Sequence, residues 1–247
     1  MKKYALVTGA TSGIGKQIAV ILTQKGYKVI ACGRNRAVLS ALAEQYGMIP
    51  QPCDLSSKEQ CVELHKKYSD LNVTAVVNCA GFGFVRDFDK ISVDDDVDMI
   101  NVNITSLQIL TKLFSQTMKK GVIMNVCSSA AFTPEPLMAS YAASKAYVYS
   151  YSRAVDYELK KRRSRVHVCV ICPGAVSTPF EKTAGVSKPL KGISAEKCAK
   201  CTVDAMEKRA DVTIVGTKMK LAVLLSKLLS ENTVLKLQYK IQGSKLK

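Results

Sequence analysis

Tyr141 and Lys145 stand four residues apart in a segment patterned as a helix, a spacing that puts both side chains on one helical face. A phenol with a pKa near 10 is a poor acid or base at neutral pH. A neighbouring ammonium favours the phenolate and lowers that value, so the pair has the makings of a proton-transfer device. Ser128, at the end of the apolar run Gly121 to Val126, stands upstream of both. An ordinary amphipathic helix with an exposed Lys and a half-buried Tyr has the same spacing, so the rest of the chain must decide between the two readings.

A second set of residues near the amino terminus reads Thr8-Gly9-Ala10-Thr11-Ser12-Gly13-Ile14-Gly15. It follows a short apolar run, Lys3 to Thr8, and opens a segment, Ile14 to Lys25, with apolar residues at helical spacing. Glycines in such a turn let the backbone bend tightly and approach a pyrophosphate. The new helix offers its free N–H groups and positive dipole end to the phosphates. Gly9, Thr11, Ser12, Gly13, Ile14 and Gly15 are therefore candidate dinucleotide contacts. After the next apolar run, Lys28 to Cys32, a carboxylate would be expected to hold the ribose hydroxyl of NAD, but no Asp or Glu occurs until Glu44. Arg34 stands there instead. A guanidinium suits the extra 2′-phosphate of NADP, so NADP (NADPH) is expected in preference to NAD. Arg34 and Arg36 beginning a solvated helix capped by Asn35 is the plainer account of the same residues.

These residues need a scaffold, and the chain supplies alternating units. Met48 to Cys53 reads as a strand closing on Asp54 and Leu55. Ser57 to Tyr68 is helical, and Val73 to Cys79 is a buried strand ending at Asn78-Cys79-Ala80-Gly81. Ser92 to Lys119 forms one long helix or two in succession, interrupted by Asn101 and Asn103. Gly121 to Val126 is a fifth strand, and Val166 to Cys172, ended by Pro173-Gly174, is a sixth. Ser194 caps a helix to Arg209, and Val212 to Val215 is the last strand. Strands and helices joined by short connections predict an α/β fold, a single doubly wound parallel sheet of about seven strands with helices on both faces. Ligands of such sheets bind at the carboxyl ends of the strands, where the glycine turn, Arg34, Asp54 and Asn78 to Gly81 all fall.

With 247 residues and no Pro/Ser-rich linker, residues 1–247 are expected to form one domain. Residues 175–193 read as a substrate loop and 218–247 as a basic amphipathic extension. That extension covers a core or a partner subunit, or else serves as an interfacial membrane contact or a lid over a greasy substrate. The net charge is +16, most of it after residue 155. No aromatic residues interleave with the basic ones to stack bases, so a solvated surface is expected and a nucleic-acid partner is not. The Cys169/Cys172 pair lies in a strand and points to opposite faces. Cys198/Cys201 has no further Cys or His after it, so no metal site is expected and the thiols are read as reduced and mostly buried. The apolar run after Met1-Lys2-Lys3 is broken too soon for an export signal, and no stretch is long enough to span a bilayer; a cytoplasmic protein is expected.

With these motifs placed, the chain resembles the short-chain dehydrogenase/reductase family over nearly its whole length. The resemblance rests on Thr8 to Gly15, on Asn78, Ala80 and Gly81, on Asn103, on Ser128 with Tyr141 and Lys145, and on Pro173, Gly174 and Thr178. It implies a Rossmann-type domain and hydride transfer between NADP(H) and a small carbonyl or alcohol substrate of ketone, aldehyde or 3-oxoacyl type. Tyr141 would be the general acid/base and Ser128 would bond the carbonyl oxygen. Lys145 would hold the nicotinamide ribose, and Asn103 would hold a water linking Lys145 to solvent. Asp54 would lie near the adenine, and a homodimer or homotetramer would be usual. Ser129 adjoins Ser128, but Ser128 stands thirteen residues before Tyr141, the family's usual interval. Asn103 is preferred to Asn101 because it precedes Ile104-Thr105-Ser106. A non-catalytic dinucleotide-binding sensor or scaffold is the alternative; such a protein would have no need of Ser, Tyr and Lys together.

Overall fold

A computed structural model describes residues 2–188 and 191–246. Seven strands form one parallel sheet: β1 (Tyr4–Thr8), β2 (Lys28–Gly33), β3 (Ile49–Pro52), β4 (Val73–Asn78), β5 (Gly121–Val126), β6 (Val166–Cys172) and, skipping a two-stranded side pair, β9 (Val212–Ile214). Their order across the sheet is β3-β2-β1-β4-β5-β6-β9. Chain order reverses beside β1, whose neighbours are β2 and β4, and the crevice beyond the carboxyl ends there is where such sheets bind ligands.

The strand side chains alternate between two cores, as the period of two requires. Ala5 and Val7 of β1 join one cluster with Ile18, Leu22, Leu39 and Val203. These come from α1 (Gly13–Gln24), α2 (Arg36–Tyr46) and α8 (Ala195–Glu207). Leu6 joins the other cluster with Leu64, Leu110 and Phe114, from α3 (Lys58–Tyr68) and α5 (Ser106–Thr117). The same alternation separates Cys169 and Cys172 of β6 into different clusters on opposite faces. All nine cysteines are free thiols, and no group of three potential metal ligands occurs among the described residues.

Local signals set the helix ends. Asn35 accepts from the Val38 N–H, and Gly47 closes α2 in the left-handed region at φ 64°. Ser194 accepts from Lys197 N–H at the start of α8. The Ser92 to Lys119 segment is two helices, α4 (Val93–Ile100) and α5, joined by a wide π turn over Asn101–Thr105. That turn coincides with the two Asn residues that interrupt the apolar face.

The long helix α6 (Ala139–Lys161) is pinned to the sheet by buried polar groups. Asn125 of β5 donates to Ser152 Oγ on α6 at 2.7 Å and accepts from Asn78 of β4 at 2.8 Å and from Thr111 of α5 at 3.3 Å. Asp156 accepts from the Val168 N–H of β6 at 3.0 Å and pairs with Lys160 at 2.7 Å. Residues 175–193, expected as loop, contain the short parallel pair β7 (Val176–Ser177) and β8 (Ile193–Ser194) and the single-turn helix α7 (Phe180–Thr183). The tail is two helices, α9 (Thr217–Ser226) and α10 (Glu231–Gly243), the second capped by Ser230.

Asn125 is wholly buried and bonds to three elements. Asn125→Ala should therefore cost about 3 kcal/mol of stability, read as a lowered midpoint in urea unfolding, because it strands polar groups in the core.

Candidate active site

One cleft of about 670 Å3 runs across the carboxyl ends of the strands. One end is walled by the β1–α1 turn, by Arg34 and by Asp54 and Leu55. The middle has Ala80, Gly81, Ser128, Tyr141 and Lys145, and beyond lie Pro173, Gly174 and Thr178. Residues separated by more than a hundred positions therefore line one continuous surface.

The β1–α1 end is built for close approach. A side chain at Gly15 would run into the Gly9 carbonyl oxygen, so only glycine fits there. Ser12 at the start of α1 makes no side-chain cap bond, and no acid lies in that first turn, although Ser12, Gly13 and Ile14 all line the cleft. The first turn of α1, whose leading amides have no intrahelical partner, therefore ends on the cleft. Thr8 Oγ1 accepts from the N–H groups of Cys79 and Ala80 at 3.0 and 3.1 Å, which locks the end of β1 to the end of β4. Asp54 is turned back on its own loop, accepting from Ser56 N–H and Oγ at 3.0 Å each.

At the centre, Tyr141 lies in the first turns of α6 and Ser128 at the end of β5, and both side chains line the cleft. Lys145 is buried; its Nζ donates to the Val126 carbonyl at 3.2 Å and lies 5.6 Å from the centroid of the Tyr141 ring. The expectation that Lys145 pulls the phenol pKa down is corrected here. Burial dominates and pushes Tyr141 above the ordinary tyrosine range, with the nearby Ser128 hydroxyl opposing it, while burial pulls Lys145 down. Tyr141 is accordingly held in its protonated form.

Two expected site residues do not line the cleft. Asn78 lies inside the sheet, its amide donating to Asn125 and Thr111, so the expected direct contact with a dinucleotide gives way to a packing role. Asn103 is buried one layer behind. Its amide accepts from Phe82 N–H at 3.1 Å and donates to the Phe82 carbonyl at 2.9 Å and to Ser144 Oγ at 3.0 Å. A Cβ built at Gly81 would meet Asn103 Oδ1 at 2.9 Å and Lys145 Nζ at 3.3 Å, so the two side chains converge behind that glycine.

The far end of the cleft was not anticipated residue by residue. Glu135, Thr133 and Met138 from the β5–α6 connection face Met219, Val223, Gln238, Gln242 and Lys245 from the tail helices. Gln242 donates to Glu135 at 2.8 Å and Gln238 to Thr133 at 3.2 Å. The Lys245 carbonyl accepts from Ser187 and Lys188 N–H, which ties the tail to the substrate loop. No motif marks these residues. The signal available was the spacing of Gln238, Gln242 and Lys245 on one face of a helical pattern.

Fold and cleft together define a doubly wound α/β protein in which a Ser, a Tyr and a Lys share one cleft with a glycine-rich turn. The comparisons agree: residues 3–188 match the short chain dehydrogenase family, and the chain belongs to it. It is 29% identical over 243 residues to human dehydrogenase/reductase SDR family member 11, covering 88% of this chain and 94% of the relative. Among solved structures it is similar to a short-chain dehydrogenase from Sphingobium yanoikuyae in complex with NADPH (TM-score 0.80, 24% identity, covering 92% of this chain and 94% of the other). It is likewise similar to one from Burkholderia phymatum in complex with NAD (TM-score 0.82, 22% identity, covering 91% and 92%).

Burial raises the Glu135 carboxyl pKa, with the Lys245 charge opposing. A carboxyl raised on folding stabilises below its unfolded pKa and loses that contribution as pH climbs through the raised value. Melting curves taken upward from about pH 4.3 should therefore fall more steeply for the wild type than for Glu135→Gln, which keeps an acceptor for Gln242 and cannot ionise.

Proposed function

We propose that the protein is an NADP(H)-dependent oxidoreductase acting on a carbonyl or alcohol substrate, with Tyr141 as general acid/base. The observation that carries this reading is that the Ser128–Tyr141–Lys145 set and the β1–α1 turn with Arg34 line one continuous cleft. The cleft suits an extended dinucleotide. The α1 amides and the close-packed glycines would take the pyrophosphate, Arg34 the 2′-phosphate, and Lys145 the nicotinamide ribose. When bound, NADPH supplies the hydride.

The chain's own residues supply the proton and the polarity. Tyr141, kept protonated by burial, donates its proton to the substrate oxygen as negative charge develops there. Ser128, beside the phenol, gives the same oxygen a second hydrogen bond. Lys145 offers a buried cation that favours the phenolate left behind. Asn103 has its amide committed to Phe82 and Ser144, so it acts as a positioning residue that holds Gly81 against α6. The cleft end that holds Glu135, Gln238 and Gln242 also carries the apolar side chains of Phe82, Val85, Met138, Phe180, Met219 and Val223, which suit a substrate with a hydrocarbon body and a polar group.

Tyr141→Phe should lower turnover by roughly a hundred- to ten-thousand-fold with NADPH affinity nearly unchanged, measured at the nicotinamide absorbance over a panel of ketones, aldehydes and 3-oxoacyl thioesters. Full activity in that variant would end the assignment. Arg34→Ala should weaken NADPH binding by about ten- to a hundredfold and leave NADH binding unaltered, as read by fluorescence titration; equal losses for both cofactors would remove the 2′-phosphate role.

A further inference from the structure

Helix α9 is apolar on two opposite faces. Met219, Ala222, Val223 and Ser226, at helical spacing, form part of the cleft wall. Leu221, Leu224, Leu225 and Leu228 repeat at the same spacing on the other side, and with Leu229 they are between 46% and 77% exposed. Helices that are apolar all round are normally buried all round, and five exposed leucines within nine residues form a patch that a solvated surface does not explain. Lys218, Lys220 and Lys227 are exposed on the same helix and its end. Residues 217–247 hold seven lysines and one acid, Glu231.

The charge decides what covers the patch. A second copy docked by a two-fold axis would set these lysines against their own counterparts with almost no acid to offset them. An anionic lipid surface takes leucines into its acyl boundary and lysines into its headgroups at once. No helix among the described residues is long and apolar enough to cross a membrane, so the contact would lie in the interface plane.

We propose that the outer face of α9 and the α9–α10 turn form a peripheral docking surface for an anionic bilayer. Because the inner face of the same helix walls the cleft, docking sets the cleft beside the headgroup layer. The inference concerns this surface and stands apart from the reaction.

Flotation of the full chain with vesicles of phosphatidylcholine alone, and of phosphatidylcholine mixed with phosphatidylglycerol, tests it. The wild type should float with the anionic vesicles, far less with the neutral ones, and less again in high salt. Leu224→Glu/Leu228→Glu should lower anionic partitioning by at least about tenfold. Its thermal melt should match the wild type, since both side chains are already in water. A wild type that stays with the soluble fraction, or a double variant that floats equally well, would overturn the proposal. So would light scattering that shows a dimer lost in the double variant, since a second copy would then be the occupant.

Discussion

The arrangement of this molecule depends on a buried amide network more than on any charged contact. Asn125 sits at the centre of the sheet and bonds to β4 through Asn78, to α5 through Thr111 and to α6 through Ser152. Two of these partners, and the strand of Asn125 itself, lead to part of the cleft. β4 runs on into Ala80 and Gly81, β5 into Ser128, and α6 carries Lys145 and Tyr141 two and three turns before Ser152. A hydrophobic contact at the same place would allow the elements to slide. Hydrogen bonds between groups with no access to water do not, because a shift of one position leaves several of them unsatisfied. The Asn78 Oδ1 atom has no partner in that network, a local cost accepted where three other bonds set the register.

Burial also sets the protonation states at the site. Tyr141 and Lys145 are each pushed toward their neutral forms by desolvation, and the nearby groups only partly offset it. A proton held on the phenol is what the proposed reduction would require. In the proposed reaction Lys145, whose Nζ donates to the Val126 carbonyl, would face the phenolate as it forms. Spacing alone suggested the reverse emphasis, with the Lys lowering the Tyr pKa, because sequence reasoning sees the neighbouring charge and not the depth of the pocket.

The scaffold was readable to a considerable extent, and the reasons are local. Strand and helix alternation follows from apolar periodicity, so the parallel sheet and its caps at Asn35, Gly47 and Ser194 could be anticipated from residues within a few positions of one another. The glycine turn, Arg34, Ser128, Tyr141 and Lys145 were legible for the same reason: each is a residue type whose chemistry depends on immediate neighbours. The long segment 92–119 reads as one helix or two because a π turn has no sequence signature beyond the two Asn residues within it.

The polar groups that point inward from distant segments were not legible. Asn78 looked like a ligand contact because it precedes a turn at a strand end, yet the side chain faces across the sheet toward Asn125, a partner 47 residues away. Glu135, Gln238, Gln242 and Lys245 belong to no motif and meet only because the tail folds back over the β5–α6 connection. The amino-acid sequence by itself determined the strand–turn–helix alternation, the glycine turn after the first strand and the placing of Tyr141 and Lys145 on one helical face, since each is encoded by residue type and spacing over a few positions. Only the tertiary structure decided which polar groups face the cleft and which hold the core, how deeply the Tyr and Lys are buried, and which leucines remain outside, because those follow from the packing of segments far apart in the chain.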